Sequence, residues 1–292
     1  MLTNSDANSG DKPQSVAADT RTLDKSDYPV FCDYLESLCG IVLGENKQYL
    51  VTSRLAPLLD EYSFQSFSQL IALVIEDKKS TLASRVVDAM TTNETSWFRD
   101  QFPFELLKHH ILPDMIEMGR RRVSIWSAAC SSGQEPYSIS MAITEFLDAH
   151  PKCFLNPRVV STDISPAILD DAKKGVYDAA AISRGLNSAQ KKRFFNPVKA
   201  GFEVGSEVKN RVSFQLLDLQ QGYAALGKQD IIFCRNVLIY FSSQLRDNII
   251  ERMVANMNPK GYLYLGASES LGSFTRHFRT VRGNGGSVHQ LK

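Results

Sequence analysis

The spacing of apolar residues divides the chain in two. Between Ser26 and Met90 it is helical. Phe31, Tyr34, Leu35 and Leu38 recur at intervals of three and four before Gly40. Tyr49, Leu50, Leu55, Leu58 and Leu59 form a second run, with Pro57 inside it as an expected kink or break. Phe67, Leu70, Ile71, Val74 and Ile75 make a third, and Ser80 is placed to N-cap a fourth holding Leu82, Val86, Val87 and Met90. No strand pattern interrupts these runs, which predicts a small all-helical domain of about four helices over 25–90. Residues 1–24 are Ser, Asp, Asn, Gly and Lys with little to bury, which predicts a disordered tail.

Thr91 to Asp100, TTNETSWFRD, breaks the periodicity and reads as a linker, over 91–102, with polar side chains to offer. Pro103 to Met118 predicts a helix. Beyond Arg122 strands and helices alternate in the manner of an open α/β sheet. Arg158–Thr162 is a strand ending in Asp163, and Ser165 can cap the helix Pro166–Lys174. Arg211–Leu217 ends in Asp218, and Asp230–Cys234 ends in Arg235 and Asn236. Leu245–Met257 predicts a helix. Gly261–Leu265 and Ser287–Leu291 are expected to close the sheet as an antiparallel pair at one edge. The stretch Gly175–Asn210 does not fit the alternation. Its Phe194, Phe195, Val198, Phe202, Val204 and Val208, punctuated by Pro197, Gly201 and Gly205, favour a small inserted antiparallel sheet at about 176–211.

The stretch around which the second half is organised is Ile125–Tyr137, IWSAACSSGQEPY. An apolar strand runs into Ser127, Ala128, Ala129, Cys130, Ser131, Ser132 and Gly133, and a helical run follows at once. Strand, small-residue turn and helix start form the first unit of a sheet whose carboxyl edge binds ligands. Pro136 suits the beginning of a helix.

Composition narrows the function classes. With 292 residues and 43% apolar content the chain can bury one large core or two smaller ones. A net charge of +1 gives no bulk attraction to nucleic acid or to an anionic membrane. Cys32, Cys39, Cys130, Cys153 and Cys234 are odd in number and scattered. That argues against a disulfide framework or zinc site and for a reducing, cytoplasmic location. The five histidines show no metal-ligand spacing, so no metal is expected. No apolar run reaches a membrane span, and no apolar signal segment opens the chain.

Four successive strand ends carry polar groups: Glu135, Asp163, Asp218, and Arg235 with Asn236. In a parallel sheet these ends line one crevice, and an acid after the second strand is placed to accept from two ribose hydroxyls. Taken singly, each is more often a helix cap or a solvated charge, but four in register argue against that. The second and third glycines of a pyrophosphate fingerprint are missing, and Glu135 stands where a dinucleotide phosphate would dock. A carboxylate there repels phosphate and attracts an amine or sulfonium, which favours S-adenosylmethionine over a nicotinamide or flavin. Cys130 reads as a small packing residue rather than a nucleophile, because no histidine lies near it.

These residues bring the chain to motifs of a known family. TTNETSWFRD at 91–100, AACSSGQEPYSISM at 128–141, STDIS at 161–165, CRNVLIYF at 234–241 and LGASESL at 265–271 occur in order. From about Asp27 onward the chain resembles the CheR-type chemotaxis receptor methyltransferases, which transfer methyl from S-adenosylmethionine to receptor glutamates, leaving S-adenosylhomocysteine. The resemblance implies a Rossmann-like seven-stranded methyltransferase sheet over 103–292 behind the helical domain, with the small antiparallel β-subdomain inserted. It implies that Asn93, Thr95 and Arg99 reach the cofactor and the reaction centre. Glu135 then contacts the amine end of the methionine moiety and Asp163 the ribose. The family's Asn-Leu at the adenine is Asp218-Leu219 here, and Asp accepts from the adenine amine but cannot donate. Gln134 replaces a family Glu that is not the contacting residue. Arg235 and Asn236 line the crevice, and Tyr240 lies close to the methyl group. Arg99 and Tyr240 are the expected catalytic residues.

The chemistry suits these residue types. A glutamate carboxylate is nucleophilic at neutral pH, so the task is alignment rather than base catalysis, and Arg99 could orient it through a charge-assisted hydrogen bond. Two other readings remain open. DNA adenine methyltransferases carry two prolines after the fourth strand end, where this chain has Asn236-Val237-Leu238. A receptor-binding domain that keeps a cofactor pocket without catalysis is the other. The expected partner is the cytoplasmic helical region of chemoreceptors, met in part by Lys47 and Arg54, seven residues apart on one helical face. Tail-binding members of the family have a longer, Gly-containing loop in the inserted hairpin. Here the path from Phe195 to Gly201 is short and holds Pro197, so independence from the receptor's C-terminal pentapeptide is expected. A monomer is expected.

Overall fold

The computed structural model describes residues 22–283 and 285–292. The tail expected over 1–24 lies, but for its last three residues, outside them. Four helices come first: α1 (Asp27–Cys39), α2 (Gln48–Tyr62), α3 (Phe67–Glu76) and α4 (Thr81–Met90). They bury the predicted periodic residues in one core with Phe31, Leu35, Val51, Leu55, Leu70 and Val86 at its centre. Gly40 takes the left-handed conformation that ends α1, and the Ser80 side chain accepts from the Ala83 amide to start α4. Two expectations differ. Pro57 does not break α2, because it sits on the exposed face, where the carbonyl it leaves free can turn to water. Tyr49 and Ile75, at 64% and 38% exposed, lie outside the core.

The predicted helix over Pro103–Met118 is a composite: α5 (Phe102–Leu106), a widened π turn (Leu107–Ile111) and α6 (Leu112–Glu117). Pro113 has no N–H for the His109 carbonyl four residues earlier, and the ladder widens ahead of it.

The sheet then builds up through β1 (Arg122–Ala128), α7 (Gln134–Ala149), β2 (Asn156–Asp163) and α8 (Pro166–Lys174). The insert follows as β3 (Val176–Tyr177), α9 (Ala179–Ser183), α10 (Ser188–Phe194), β4 (Phe195–Val198), β5 (Gly201–Val204) and α11 (Ser206–Lys209). The chain returns through β6 (Val212–Leu216), β7 (Gln229–Cys234), α12 (Ser243–Ala255), β8 (Met257–Leu265), β9 (Phe278–Gly283) and β10 (Gly286–Leu291). The seven-stranded order is β6-β2-β1-β7-β8-β10-β9. The five strands from β6 to β8 are parallel, and β10 runs antiparallel to both β8 and β9. The predicted closing pair is therefore present, but β10 is not the edge. The edge is β9, which the hydrophobic pattern missed.

Alternation along the strands feeds two cores. Ile125, Phe233 and Tyr264 face α5, α6 and α7, whereas Trp126, Ile232 and Leu263 face α12. The insert forms a separate three-stranded antiparallel sheet, β3-β5-β4, as expected. Val208, read as a strand residue, lies in α11 instead, and α9 and α10 were not foreseen. No helix among the described residues is long and apolar enough to cross a membrane.

Candidate functional site

Strand order reverses between β1 and β7. The chain leaves β1 toward β2 and β6 on one side and takes up β7 and β8 on the other. Ala128 and Cys234 pair at the carboxyl ends of these central strands, and there the outgoing loops part to leave a crevice. Asn93, Thr95, Arg99, Glu135, Asp163, Asp218, Leu219, Arg235, Asn236 and Tyr240 all line one cleft at this point. Every site residue expected from the sequence is thus brought together.

The β1 loop gives its backbone to the cleft. Ala129 and Ser131 hold positive φ, 53° and 50°, conformations that side-chain-bearing residues seldom adopt. The Asp163 carboxylate at the end of β2 holds this loop by accepting from the Ser131 amide (2.8 Å), while its other oxygen accepts from Ser165 (3.1 Å). Asp163 is 6% exposed, and burial raises its pKa above the ordinary carboxylate value, partly offset by these amides. Each oxygen retains a lone pair for a further donor.

Glu135, in the first turn of α7, accepts from Ser127 Oγ at 2.8 Å and from Arg235 Nη1 at 2.9 Å. Arg235 also donates from Nη2 to the Arg99 carbonyl (3.0 Å) and to Asp100 Oδ2 (2.6 Å), with its side chain 1% exposed. It lines the cleft, as expected, and has a second role that the sequence did not show. It is a buried clamp that ties the linker to α7, and it balances the charge of Glu135.

Asp218 turns back on its own loop, accepting from the Gln220 amide at 2.8 Å, and burial raises its pKa as well. Leu219, Ile164 and Leu217 give an apolar wall beside it. Cys130 is buried with its pKa pushed up by desolvation, as a packing residue should be.

The linker is fixed at several points. Trp97 packs edge-on against Tyr177 and Phe195 of the insert at 4.8 and 5.0 Å. Gly185 approaches so closely that a Cβ there would stand 1.9 Å from the Trp97 carbonyl oxygen. Ser131 Oγ donates to the Asn93 carbonyl, and the Phe98 amide donates to Ser138. Arg54 of α2 donates to the carbonyls of Met90 and Thr91 and to Thr92 Oγ1. That corrects the expectation that Arg54 faces a partner together with Lys47: its guanidinium is already engaged by this chain. Arg99 donates from Nη1 to the Glu94 carbonyl, and no carboxylate among the described residues pairs with it.

Sequence reasoning missed two contributions. The connector between α1 and α2 closes the cleft with Ile41, Val42 and Leu43, and the Val42 amide donates to the Tyr240 carbonyl at 2.9 Å. Glu269, after β8, gathers the amides of the loop that carries Asn236 and Tyr240. Its motif was visible in the sequence; its backbone partners were not.

The lining fits S-adenosylmethionine: a buried acid with free lone pairs for a ribose, an apolar wall for a base, and a carboxylate for a cationic end. No group of His, Cys, Asp and Glu that could hold a metal occurs among the described residues. Residues 93–286 match the family described as CheR methyltransferase, SAM binding domain, and residues 26–91 match CheR methyltransferase, all-alpha domain. Chemotaxis protein methyltransferase 1 of Vibrio cholerae serotype O1 is 46% identical over 272 residues, 93% of this chain and 98% of its own. Chemotaxis protein methyltransferase Cher2 of Pseudomonas putida is 46% identical over 269 residues, 91% and 98% of the two chains. Among solved structures, the N-methyltransferase NodS from Bradyrhizobium japonicum WM9, in complex with S-adenosyl-L-homocysteine, is 16% identical. That match covers 67% of this chain and 91% of that one at a TM-score of 0.38. The chain belongs to the CheR family of S-adenosylmethionine-dependent chemotaxis methyltransferases.

Proposed function

We propose that the protein methylates glutamate side chains in the cytoplasmic helical region of chemoreceptors, giving glutamyl methyl esters, and that it works in the cytoplasm as a monomer. The observation that carries this reading is Arg99. It is a cation on the cleft wall with no carboxylate partner among the described residues, beside an Arg235 whose charge is matched by Glu135 and Asp100. An incoming carboxylate supplies what Arg99 lacks.

In this reading Asp163 takes the ribose, Glu135 the amine end of the methionine moiety, and Leu219 with Asp218 the adenine. Asn93 and Thr95 hold the cofactor from the linker side, and Asn236 from the β7 loop. When bound, S-adenosylmethionine supplies an electrophilic methyl group. The substrate carboxylate is already ionised, so the protein's work is to orient it: Arg99 fixes its direction, and Tyr240 bounds the space in which it meets the methyl. The linker over 91–102 is then part of the active site rather than a passive connection between 25–90 and 103–292.

The receptor is recognised through its methylation region, without its C-terminal pentapeptide. Lys199 and Ala200 alone join β4 to β5, and Pro197 removes a donor from β4, at one side of the small sheet.

The test is incubation with labelled S-adenosylmethionine and the cytoplasmic fragment of a chemoreceptor, with and without its tail. Base-labile methyl ester in both fragments is expected. Cofactor binding without ester formation would overturn the enzymatic reading, and a large loss on tail deletion would overturn tail independence.

A further inference from the structure

The LGASESL segment contributes no side chain to the cleft wall, yet it is built around one carboxylate. Glu269 accepts four backbone N–H groups. Oε1 takes those of Val237 (2.8 Å) and Leu238 (2.7 Å), and Oε2 takes those of Asn236 (2.8 Å) and Gly266 (2.6 Å). Three of the four belong to the loop leaving β7, the fourth to the loop leaving β8. One side chain therefore ties together two loops at the carboxyl edge of the sheet.

The geometry leaves little slack. Asn236 stands at φ 60°, a left-handed conformation held by a carboxylate that gathers its amide and the next two. Gly266 has to be glycine. A Cβ there would lie 2.7 Å from Glu269 Oε2 and 2.8 Å from the Asn236 nitrogen, and the second of these is backbone that cannot swing away. The captured amides lead directly into the tight turn Leu238–Tyr240. Tyr240 lines the cleft together with Asn236 and Val237 of the same loop, and its carbonyl is held in turn by Val42.

We propose that Glu269 is a positioning residue for methyl transfer. Its carboxylate sets the path of Asn236–Leu238 and so the place of Tyr240 at the reaction centre, without touching cofactor or substrate. The proposal rests on the function argued above. It separates two parts of the site: Asp163 and Glu135 are held by other partners, so when Glu269 is changed cofactor binding loses at most the contact of Asn236, whereas alignment is lost.

Three variants test it. Glu269→Ala removes all four acceptor contacts. Glu269→Gln keeps the shape but offers one acceptor oxygen and turns an NH₂ toward the other two amides. Gly266→Ala presses on the same node from the opposite side and leaves the carboxylate in place. Each is assayed for S-adenosylmethionine affinity by calorimetry, for kcat and KM on the receptor fragment, and for thermal unfolding. Expected is a fall in kcat of about 100-fold for Glu269→Ala, on the scale of an ångström-sized misplacement. Smaller losses of the same kind are expected for the other two, with cofactor affinity within about threefold of the parent. Should Glu269→Ala fail to fold, the remaining pair carries the test. Lowered unfolding temperatures with kcat per folded site unchanged would overturn the proposal, as would cofactor affinity falling in step with kcat. If the parent forms no methyl ester, it is the proposed function that fails. Glu269 is then read from a crystal structure of Glu269→Gln, where an undisturbed 236–240 path overturns the positioning role and a displaced one supports it.

Discussion

Replacing Arg235 with alanine isolates the element that holds the linker on the sheet. Its guanidinium makes three charge-assisted contacts, to Glu135, to Asp100 and to the Arg99 carbonyl, from a side chain 1% exposed. Removing one partner of a buried ion pair costs about 3–5 kcal/mol, because the other charge is left without compensation. The two acids do not share that cost equally. Asp100 is 41% exposed and can turn to water, whereas Glu135, at 14%, keeps only Ser127. The lower end, about 3 kcal/mol, is therefore expected. At about 2–4 °C per kcal/mol for a domain of this size, the midpoint of unfolding should fall by roughly 6–12 °C. The difference should persist near 1 M salt, where exposed pairs are screened within about 3 Å. Turnover should fall further than stability accounts for, since Arg99 loses the anchor on its own carbonyl. Arg235→Lys should recover only part of both losses, because one ammonium cannot reach acceptors on three sides as the planar fork does. Calorimetric unfolding and methyl-ester release on the same preparations decide it. If Arg235→Ala melts within about a degree of the parent, or if lysine restores full activity, the clamp is not what the geometry implies.

Asp163→Ala should weaken cofactor binding by on the order of 1.5–3 kcal/mol, the worth of hydrogen bonds to a charged group; calorimetry showing unchanged affinity would remove Asp163 from the site. Because burial raises the Asp163 pKa, parent affinity should decline with acidity at a pH above the ordinary carboxylate value, as the protonated form gives up acceptors. That acid limb should vanish in Asp163→Ala. Arg99→Ala should lower turnover far more than unfolding temperature, since only a backbone carbonyl is left unpaired; full turnover in the folded fraction would end its catalytic role. Lys47→Glu should reduce receptor methylation at low salt and leave cofactor affinity intact. Arg54→Glu should lower both, because it frees the linker; equal behaviour of the two would mean that Arg54 faces the receptor after all.

What was legible in the sequence is what local pattern encodes. Ser80 and Ser165 each stand one residue before a helical run, and each caps it through its hydroxyl. The strand-end acids follow apolar runs, and Asp163 is where that logic puts it. The failures have equally local causes. Strand β9, FRTVRG, lies at the sheet edge and buries little beyond Phe278, so no two-residue alternation of apolar residues marks it. Helices α9, α10 and α11 are five, seven and four residues long, too short to repeat a helical period and stabilised by packing and caps such as Asp178 and Asn187. Apart from Gly266, three residues before Glu269, the backbone partners on which the roles of Arg54, Arg235 and Glu269 rest lie 31 to 136 positions away, and no spacing rule carries such information.

Those long-range contacts share one direction. The strand ends supply carboxylates and amides, but the cleft is completed by segments that belong to no strand. Arg54 holds the linker from α2, Val42 holds the Tyr240 carbonyl from the α1–α2 connector, and Ile41 pairs with Phe241 as an isolated bridge. Cys39, Ile41, Val42, Leu43 and Leu50 all reach the cleft from the helical part. The four helices therefore do more than sit beside the sheet. They supply a wall of the cleft and fix both segments, linker and β7 loop, on which Arg99 and Tyr240 are carried. A partner that shifted α2 against the sheet would move Arg54 and Val42 together, and with them both of those residues, while leaving Asp163 and its amides in place. On the proposed function, cofactor binding and alignment of the acceptor are in this way borne by largely different parts of one fold. The first rests mainly on the β1, β2 and β6 loops, with Asn93, Thr95 and Asn236 added from the linker and the β7 loop, and the second on how the helices grip those two segments.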